Sequence, residues 1–283
     1  MASIRLAPKW MFLTTVFLAI AGNFARAEET GIHWYKDLNE AMAVAQQTNL
    51  PMMIDFWADW CGPCKIMDAE VYNDPSLVAA FGQKMIGVRI HFDLQPEMVR
   101  KFNVPALPYL VFTNSYGTEL LHHRGMLEAE DMTAVINAFP ADLSEINRLD
   151  RALQEDKNHF ASLRDMGQRL REIGFYESSN GFYNKALKHN DAKKDAAQRE
   201  VILYSMALNS LALRDGRSAA SALERCLKEF SESARKPDFL LALGRAYLLD
   251  EKDAKAKGPL NALIAEFPQS PAAQSARELL NSP

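Results

Sequence analysis

A pair of cysteines separated by two residues constrains the fold of this chain more than any other feature of its sequence. The residues before the pair, 52–57, form an apolar run with few turn residues, which is typical of a buried strand. Cys61 and Cys64 then open a predicted helix that extends toward Tyr72. Pro63 is compatible with the first helical turn, because the N–H that proline lacks has no partner there. Both thiols are therefore expected at a helix N-terminus, where unpaired backbone N–H groups and the helix dipole stabilise a thiolate.

The segment from Asp55 to Lys65, which reads Asp-Phe-Trp-Ala-Asp-Trp-Cys-Gly-Pro-Cys-Lys, closely resembles the active site of thioredoxin. The segment 102–112 resembles the part of that family that holds a cis-proline opposite the cysteines, which places that role on Pro108. Over residues 31–140 the chain also resembles the C-terminal domain of the membrane thiol:disulfide interchange reductase of bacteria. The resemblance implies a thioredoxin fold. The order of predicted elements, a strand–helix–strand unit followed by a hairpin and a helix, agrees with a mixed sheet that has helices on both faces.

The resemblance implies a function for each residue of the candidate site. Cys61 is the expected attacking thiol and Cys64 the expected resolving thiol, and the two are expected to form a disulfide with each other. Asp55 is the expected buried carboxylate that assists Cys64, because burial raises a carboxyl pKa and allows the group to take a proton near neutral pH. The expected substrate-binding residues are Trp60, Gly62, Pro63, Leu107 and Pro108.

Structural roles are the alternatives at several of these positions. Asp55 is alternatively a hydrogen-bonded structural carboxylate, and Trp60 is alternatively an ordinary core aromatic instead of an exposed docking surface beside Cys61. Arg89 is expected at the surface or at the rim of the site. No metal and no other cofactor is expected. A structural zinc needs four ligands, and the cysteine pair is accompanied by no second Cys-x-x-Cys and no spaced histidine pair.

The cysteine spacing and the resemblance together favour a thiol:disulfide oxidoreductase. Two residues between the thiols make the second step of thiol–disulfide exchange intramolecular. Gly-Pro between the cysteines is the pair found in thioredoxin, whose reduction potential of about −270 mV makes it a reducing couple. The favoured activity is therefore reduction of disulfide-containing protein substrates, with oxidation or isomerisation as the alternative direction. A competing interpretation is a chaperone-like or scaffold binding protein with secondary redox activity.

The first 27 residues are typical of a secretory signal peptide. Arg5 and Lys9 supply the positive start, an apolar core follows, and residues 25–27 read Ala-Arg-Ala, a small-x-small cleavage site. The apolar run of about 12 residues is shorter than the roughly 20 that span a bilayer, so a cleaved leader is favoured over a retained anchor. This pattern predicts a periplasmic protein. The resemblance to the interchange reductase implies a membrane electron donor for it.

Composition and charge exclude other classes of protein. With 283 residues, 48% of them hydrophobic and 24% charged, the chain is long enough for two globular domains and is not typical of a disordered or membrane-embedded protein. Its formal net charge of −4 makes nucleic acid an unexpected partner. Cys226 is left without a pair, and a packed position on a helix is favoured for it over an intermolecular disulfide.

From Ser144 onward the hydrophobic pattern is almost entirely helical, and it repeats. Apolar and small residues in 163–187, and again in 240–268, fall on the spacing of a tetratricopeptide repeat, and 203–230 is a weaker copy. Residues 272–280 are expected to cap the array. Stacked helix pairs leave a concave surface that commonly binds protein. A protein partner is therefore expected on the repeats, and a purely stabilising or spacing role is the alternative.

The sequence thus predicts an α/β thioredoxin fold followed by an all-α tetratricopeptide-like helical repeat domain. The expected divisions are a signal peptide at 1–27, a thioredoxin-like domain at 28–141 and the helical domain at 142–283. Each of the two domains is long enough to bury a hydrophobic core.

Overall fold

The computed structural model describes residues 31–281, so the predicted signal peptide lies outside the described residues. The first part of the described chain alternates strands with helices, which confirms the α/β class. In chain order its elements are β1 (Trp34–Tyr35), α1 (Leu38–Thr48), β2 (Met52–Trp57), α2 (Gly62–Ile66), a π-helical turn (Met67–Val71), α3 (Pro75–Lys84), β3 (Ile86–His91), α4 (Pro96–Lys101), β4 (Tyr109–Thr113), β5 (Glu119–Arg124) and α5 (Ala129–Ala138).

The five strands form one sheet in the order β1-β3-β2-β4-β5. The central strand β2 pairs in parallel with β3 and antiparallel with β4, and β1 and β5 lie at the two edges. This is the mixed sheet that the sequence predicts. Because β2 ends at Trp57, the centre of the sheet leads directly into the cysteine loop.

Side chains of β2 alternate between two hydrophobic cores, one on each face of the sheet. Met52, Ile54 and Phe56 are buried in the core that α1 covers. Met53 belongs to the opposite core, which contains residues of the π-helical turn, α3 and α5. By this alternation Asp55 points to the same face as Met53, beside a largely apolar core.

The helix that follows the cysteines changes its geometry. The sequence predicts one continuous helix toward Tyr72, whereas the structure passes from α-helical to π-helical geometry at Met67–Val71. The Tyr72 N–H donates to the Met67 carbonyl at 2.9 Å, and the Asn73 amide donates to the Asp68 carbonyl at 2.8 Å. Such wide turns are frequent at functional sites. This one contains Asp68 and ends before Tyr72, and both residues belong to the candidate site described below.

The second part of the described chain is helical. In chain order its helices are α6 (Ser144–Glu155), α7 (Phe160–Glu172), α8 (Tyr176–Lys188), α9 (Asn190–Lys194), α10 (Ala196–Ala212), α11 (Gly216–Glu229), α12 (Lys236–Leu249), α13 (Asp253–Glu266) and α14 (Pro271–Asn281). Helices that follow one another in the chain pack together, α7 with α8, α10 with α11, α11 with α12 and α12 with α13, while α8 also packs on α10 and α14 on α13. The helical class is confirmed, whereas the tetratricopeptide assignment stays a prediction. Among residues 31–281 no helix combines the length and the apolar character needed to cross a membrane.

Helix α6 connects the helical part to the sheet through a shared core. Its buried Ile146 and Leu149 belong to the same apolar cluster as Phe112 of β4. A polar contact adds to this packing, because the Asn147 amide donates to Asn49 Oδ1 at 2.7 Å. The helical part is therefore packed against the core on the Met53 face of the sheet.

Small residues let the helices of two pairs approach closely. An added Cβ at Gly167 of α7 would lie 2.6 Å from the ring of Tyr183 on α8. Gly244 of α12 faces Leu260 of α13 in the same way, and an added Cβ there would lie 2.4 Å from a methyl carbon. Both glycines belong to the repeating pattern in the sequence, so the repeated residues have a direct packing function.

Replacing Gly167 with alanine is expected to lower the free energy of unfolding by about 1–3 kcal/mol, because the new methyl group overlaps the buried Tyr183 ring. Gly181 of α8 is the matched control, since an added Cβ there meets no atom within 4 Å. Gly181→Ala is expected to raise the free energy of unfolding by roughly 0.5–1 kcal/mol, because alanine has the higher helix propensity. Urea unfolding measures both values. Changes of the same sign in the free energy of unfolding for the two variants would contradict this packing.

Candidate active site

The cysteine pair lies where β2 passes into α2. Cys61 is the N-cap residue of α2, with extended backbone angles (φ −79°, ψ 100°), and Cys64 lies in the first turn. The two sulfurs are joined in a disulfide, with 5.3 Å between the Cα atoms. The backbone N–H of Cys64 donates to Cys61 Sγ at 3.2 Å. Because this N–H and the helix dipole both favour negative charge, the position stabilises a reduced Cys61 sulfur as a thiolate.

The disulfide lies just beneath the protein surface. Cys61 is 3% exposed and Cys64 is 2% exposed, whereas Gly62 and Pro63 between them are exposed. Apolar side chains that include Leu107 pack against the two cysteines. The pair is therefore buried against apolar groups and borders solvent at the Gly-Pro turn.

Leu107 and Pro108 bring the second sequence segment to the cysteines. The half-buried Leu107 side chain packs against the cluster that contains Cys61 and Cys64. The peptide bond between Leu107 and Pro108 is cis, and Pro108 is buried directly before β4. The structure thus brings together the two segments that the resemblance connected.

Trp60 lies at the surface beside the disulfide, not in the core. Its side chain is 64% exposed, and its indole N–H donates to Asp93 Oδ2 at 2.8 Å. The ring also meets Phe92 edge to face, with 6.1 Å between ring centroids. Leu94, which follows Asp93 in the chain, is 76% exposed, and its local sequence pattern does not mark it as a site residue. Trp60 and Leu94 give this end of the sheet an exposed apolar surface with one residue held in a fixed orientation.

Asp55 is a buried carboxylate within the central strand. It is 1% exposed, and Arg89 Nε lies 3.1 Å from Asp55 Oδ2. Burial raises the pKa of Asp55 to about 6, although the charge of Arg89 and the Tyr72 hydroxyl act in the opposite direction. Burial and the negative charge of Asp55 also raise the pKa of Tyr72 well above its usual value, so this hydroxyl stays protonated. Asp55 is thus a buried carboxyl group whose pKa lies close to neutral pH.

Arg89 is mostly buried and paired with Asp55, and is not the surface or rim residue expected from the sequence. It lies directly opposite Asp55 in the pairing of β2 with β3, and its Nη2 is 2.9 Å from Asp68 Oδ1. Its guanidinium lies over the Trp57 ring, 4.5 Å from the centroid, and 5.5 Å from that of Trp34. Arg89 thereby balances part of the charge of two carboxylates while its guanidinium contacts aromatic rings. The sequence indicated this role only by placing a charged residue among the apolar residues of a strand. Its partner, Asp55, is visible only from the pairing of β2 with β3.

Within residues 31–281 no group of three or more His, Cys, Asp or Glu side chains is arranged to hold a metal ion. Cys226, the remaining cysteine, is buried on α11. Burial raises the pKa of its thiol to about 12. It is therefore a packed side chain without the electropositive environment of Cys61.

The central strand of the mixed sheet leads into a Cys-x-x-Cys pair at a helix N-terminus, and the segment with the cis-proline lies against that pair. This arrangement defines a thioredoxin-like domain with a thiol:disulfide oxidoreductase fold. Residues 33–115 match a family profile described as thioredoxin-like. The matched range contains Cys61, Cys64 and the cis-proline, Pro108. The domain is therefore thioredoxin-like, and a mostly helical part follows it.

Two examples illustrate the similarity of this domain to known proteins. Thioredoxin 1 of Chlorobaculum tepidum is 41% identical over 64 residues, which cover 23% of this chain and 60% of that protein. Thiol:disulfide interchange protein DsbD of Pectobacterium atrosepticum is 31% identical over 108 residues, or 36% of this chain and 18% of that protein. The chain thus spans less than two thirds of either relative. A solved thioredoxin from Thermus thermophilus is 22% identical, with a TM-score of 0.35, and the match covers 38% of this chain and 85% of that one.

Proposed function

We propose that this protein reduces protein disulfides by thiol–disulfide exchange through Cys61 and Cys64. The observation that carries the proposal is the environment of the Cys61 sulfur, which accepts the Cys64 N–H at 3.2 Å at the N-terminus of α2. A thiol in that position has a lowered pKa and is the stronger nucleophile of the pair. The similarity to a thioredoxin and to a thiol:disulfide interchange protein supports the same chemistry.

The proposed reaction consists of two exchange steps. In the first, the Cys61 thiolate attacks one sulfur of a substrate disulfide, so that a Cys61–substrate bond forms and the second substrate sulfur leaves as a thiolate. In the second, the Cys64 thiolate attacks Cys61 Sγ, the Cys61–Cys64 disulfide forms, and the first substrate sulfur leaves. Two electrons pass from the dithiol to the substrate. The disulfide seen in the structure corresponds to the enzyme after this reaction.

Asp55 is the proposed base for the second step, in which Cys64 must lose its proton. Its pKa of about 6 allows it to be ionised at neutral pH and still to accept a proton during turnover. Arg89, 3.1 Å from the carboxylate, limits the rise of that pKa and is proposed as a positioning residue.

The substrate is proposed to dock around the disulfide. Trp60, with its 64% exposed ring, and the exposed Gly62 and Pro63 supply one side of this surface. Leu107, which packs against the cysteines, and the adjacent Pro108 are proposed to supply the other side. An extended, partly apolar segment of a disulfide-containing protein has the chemistry that fits these groups.

The reaction is proposed to take place in the periplasm, after export directed by a cleaved signal peptide at residues 1–27. The basic start, short apolar core and small-x-small site of that segment support this location. An enzyme there needs an electron source outside the cytoplasm. The similarity to an interchange protein supports a membrane donor of the interchange-reductase type.

The chain is proposed to consist of a thioredoxin-like domain at 28–141 and a tetratricopeptide-like domain at 142–283. The second of these domains is proposed to bind a protein partner. Its paired helices and the closely packed glycines Gly167 and Gly244 support a stacked array. Because α6 shares a core with the sheet, such a partner would be held in a fixed relation to the disulfide.

The direction of the reaction is tested by the reduction potential of the Cys61–Cys64 couple. Equilibration with glutathione or dithiothreitol buffers of known potential, followed by alkylation and mass spectrometry, measures the reduced fraction. We expect a potential near that of thioredoxin, about −270 mV. A potential near that of a strong oxidant, about −120 mV, would overturn the reductase proposal and favour disulfide formation.

A further inference from the structure

A basic pocket opens among the helices α8, α9, α10 and α11, away from the cysteine site. Its volume is about 500 Å³, and it is open to solvent. The residues that line it are Asn184, Leu187, Lys188, Lys193, Arg199 and Arg225. Four cationic side chains from four different helices therefore face one cavity. This concentration of positive charge stands in a chain whose formal net charge is −4.

The positive charge of the pocket is only partly neutralised by the protein. Arg199 is paired with Glu229, with 2.5 Å between Nε and Oε2, and Arg225 lies 3.7 Å from the same carboxylate. Lys188 and Lys193 form no ion pair with any residue between 31 and 281 and are exposed at the opening. One carboxylate thus serves two arginines, and two lysines remain available to an anionic ligand.

The lining also contains an apolar side chain that a simple ion would not use. Leu187 is partly buried in the wall and offers an apolar contact, and Asn184 offers an exposed side-chain amide. An apolar contact surrounded by cations matches a peptide that carries carboxylates on both sides of an apolar residue.

We propose that this pocket binds an acidic segment of a partner protein, with its carboxylates on Lys188, Lys193 and the arginine pair and an apolar side chain against Leu187. The inference rests on the proposed partner-binding function of the helical part and assigns that function a site and a ligand chemistry. Binding in this pocket does not involve the disulfide, so the pocket proposal and the reductase proposal can be tested independently.

The test measures binding of a fluorescein-labelled peptide, Glu-Asp-Leu-Glu-Asp, to the full chain by fluorescence anisotropy. We expect saturable binding that weakens as salt is raised, and no binding of the neutral analogue Gln-Asn-Leu-Gln-Asn. The double variant Lys188→Glu/Lys193→Glu is expected to bind the acidic peptide at least about tenfold more weakly, because two attractive charges become repulsive.

The matched control is Lys255→Glu/Lys257→Glu, which reverses two exposed lysines on α13 outside the pocket. It is expected to bind the peptide as the unmodified protein does. Equal weakening by both double variants would show attraction to overall charge and would overturn the proposal. Displacement of the peptide by phosphate, at an ionic strength at which sodium chloride has no effect, would assign the pocket to a small anion and would also overturn it.

Disulfide reduction separates this inference from the proposed function. Lys188→Glu/Lys193→Glu is expected to reduce insulin disulfides at an unchanged rate, and Cys61→Ser is expected to bind the acidic peptide with unchanged affinity. If neither the unmodified protein nor the control binds the peptide while both reduce disulfides, the pocket assignment alone is wrong. If the unmodified protein binds the peptide but does not reduce disulfides, the reductase proposal alone is wrong.

Discussion

Replacing Cys61 with serine is expected to lower the rate of insulin disulfide reduction, measured with dithiothreitol as the electron source, to the rate of dithiothreitol alone. Serine does not ionise at neutral pH and is a poor nucleophile toward disulfide sulfur, so the first exchange step has no attacking group. The position of Cys61 as N-cap residue of α2 makes this the substitution with the largest expected effect on activity. Precipitation of the reduced insulin chains provides the readout.

Replacing Cys64 with serine separates the two exchange steps. Cys61 is then expected to attack the substrate normally, but the mixed disulfide has no intramolecular thiol to resolve it and accumulates. Non-reducing electrophoresis detects this adduct, and excess dithiothreitol releases it. Cys226→Ala is the matched control, because Cys226 is buried on α11 and is expected to leave the rate unchanged. Full activity in Cys61→Ser would show that the nucleophile has been misassigned.

Replacing Asp55 with asparagine is expected to raise the free energy of unfolding of the oxidised protein by about 1–3 kcal/mol at pH 8 and to change it little at pH 4. The pKa of Asp55 is about 6 in the folded protein and lies above its ordinary value of 3.8, so the folded state binds this proton more tightly than the unfolded state does. The stability of the unmodified protein therefore falls as the pH rises from about 4 to above 6 and the buried carboxyl group ionises. Asparagine does not ionise, and the variant avoids that loss.

The same substitution is expected to slow insulin reduction at pH 7, because Cys64 loses its proposed base, and to slow it less at pH 9, where the thiol ionises without help. Urea unfolding and the pH–rate profile are the two measurements. Asp59→Asn is the matched control, since the Asp59 side chain is 85% exposed and is expected to affect neither profile. Unchanged pH dependence of both stability and rate in Asp55→Asn would remove Asp55 from the mechanism.

Local sequence patterns were sufficient for the strand–cysteine–helix unit and for the helical class of the second part. The β2 run and the Cys-x-x-Cys pair are adjacent in the chain, and their structure depends on neighbouring residues. The repeated small residues Gly167 and Gly244 likewise lie one helix away from the side chains that they contact. Such short-range relations are visible in a single sequence.

The parts that sequence reasoning missed depend on contacts between distant segments. Arg89 was expected at the surface or at the rim of the site, and only the β2–β3 register places it against Asp55. The core that Ile146 shares with Phe112 and the basic pocket around Lys188 also require the tertiary arrangement. The change to π-helical geometry after α2 follows from hydrogen bonds of Tyr72 and Asn73 that propensity does not encode.

The most direct test of the central claim is the order in which the three thiols of the reduced protein react with iodoacetamide as the pH is varied, with the modified cysteine identified by mass spectrometry. We expect Cys61 to react first, with a pKa below the ordinary thiol value of about 8.5, because the helix N-terminus stabilises its thiolate. Cys226, whose pKa is raised to about 12 by burial, is expected to react last. Reaction of Cys64 before Cys61, or a Cys61 pKa at or above the ordinary value, would contradict the assignment of Cys61 as the attacking thiol.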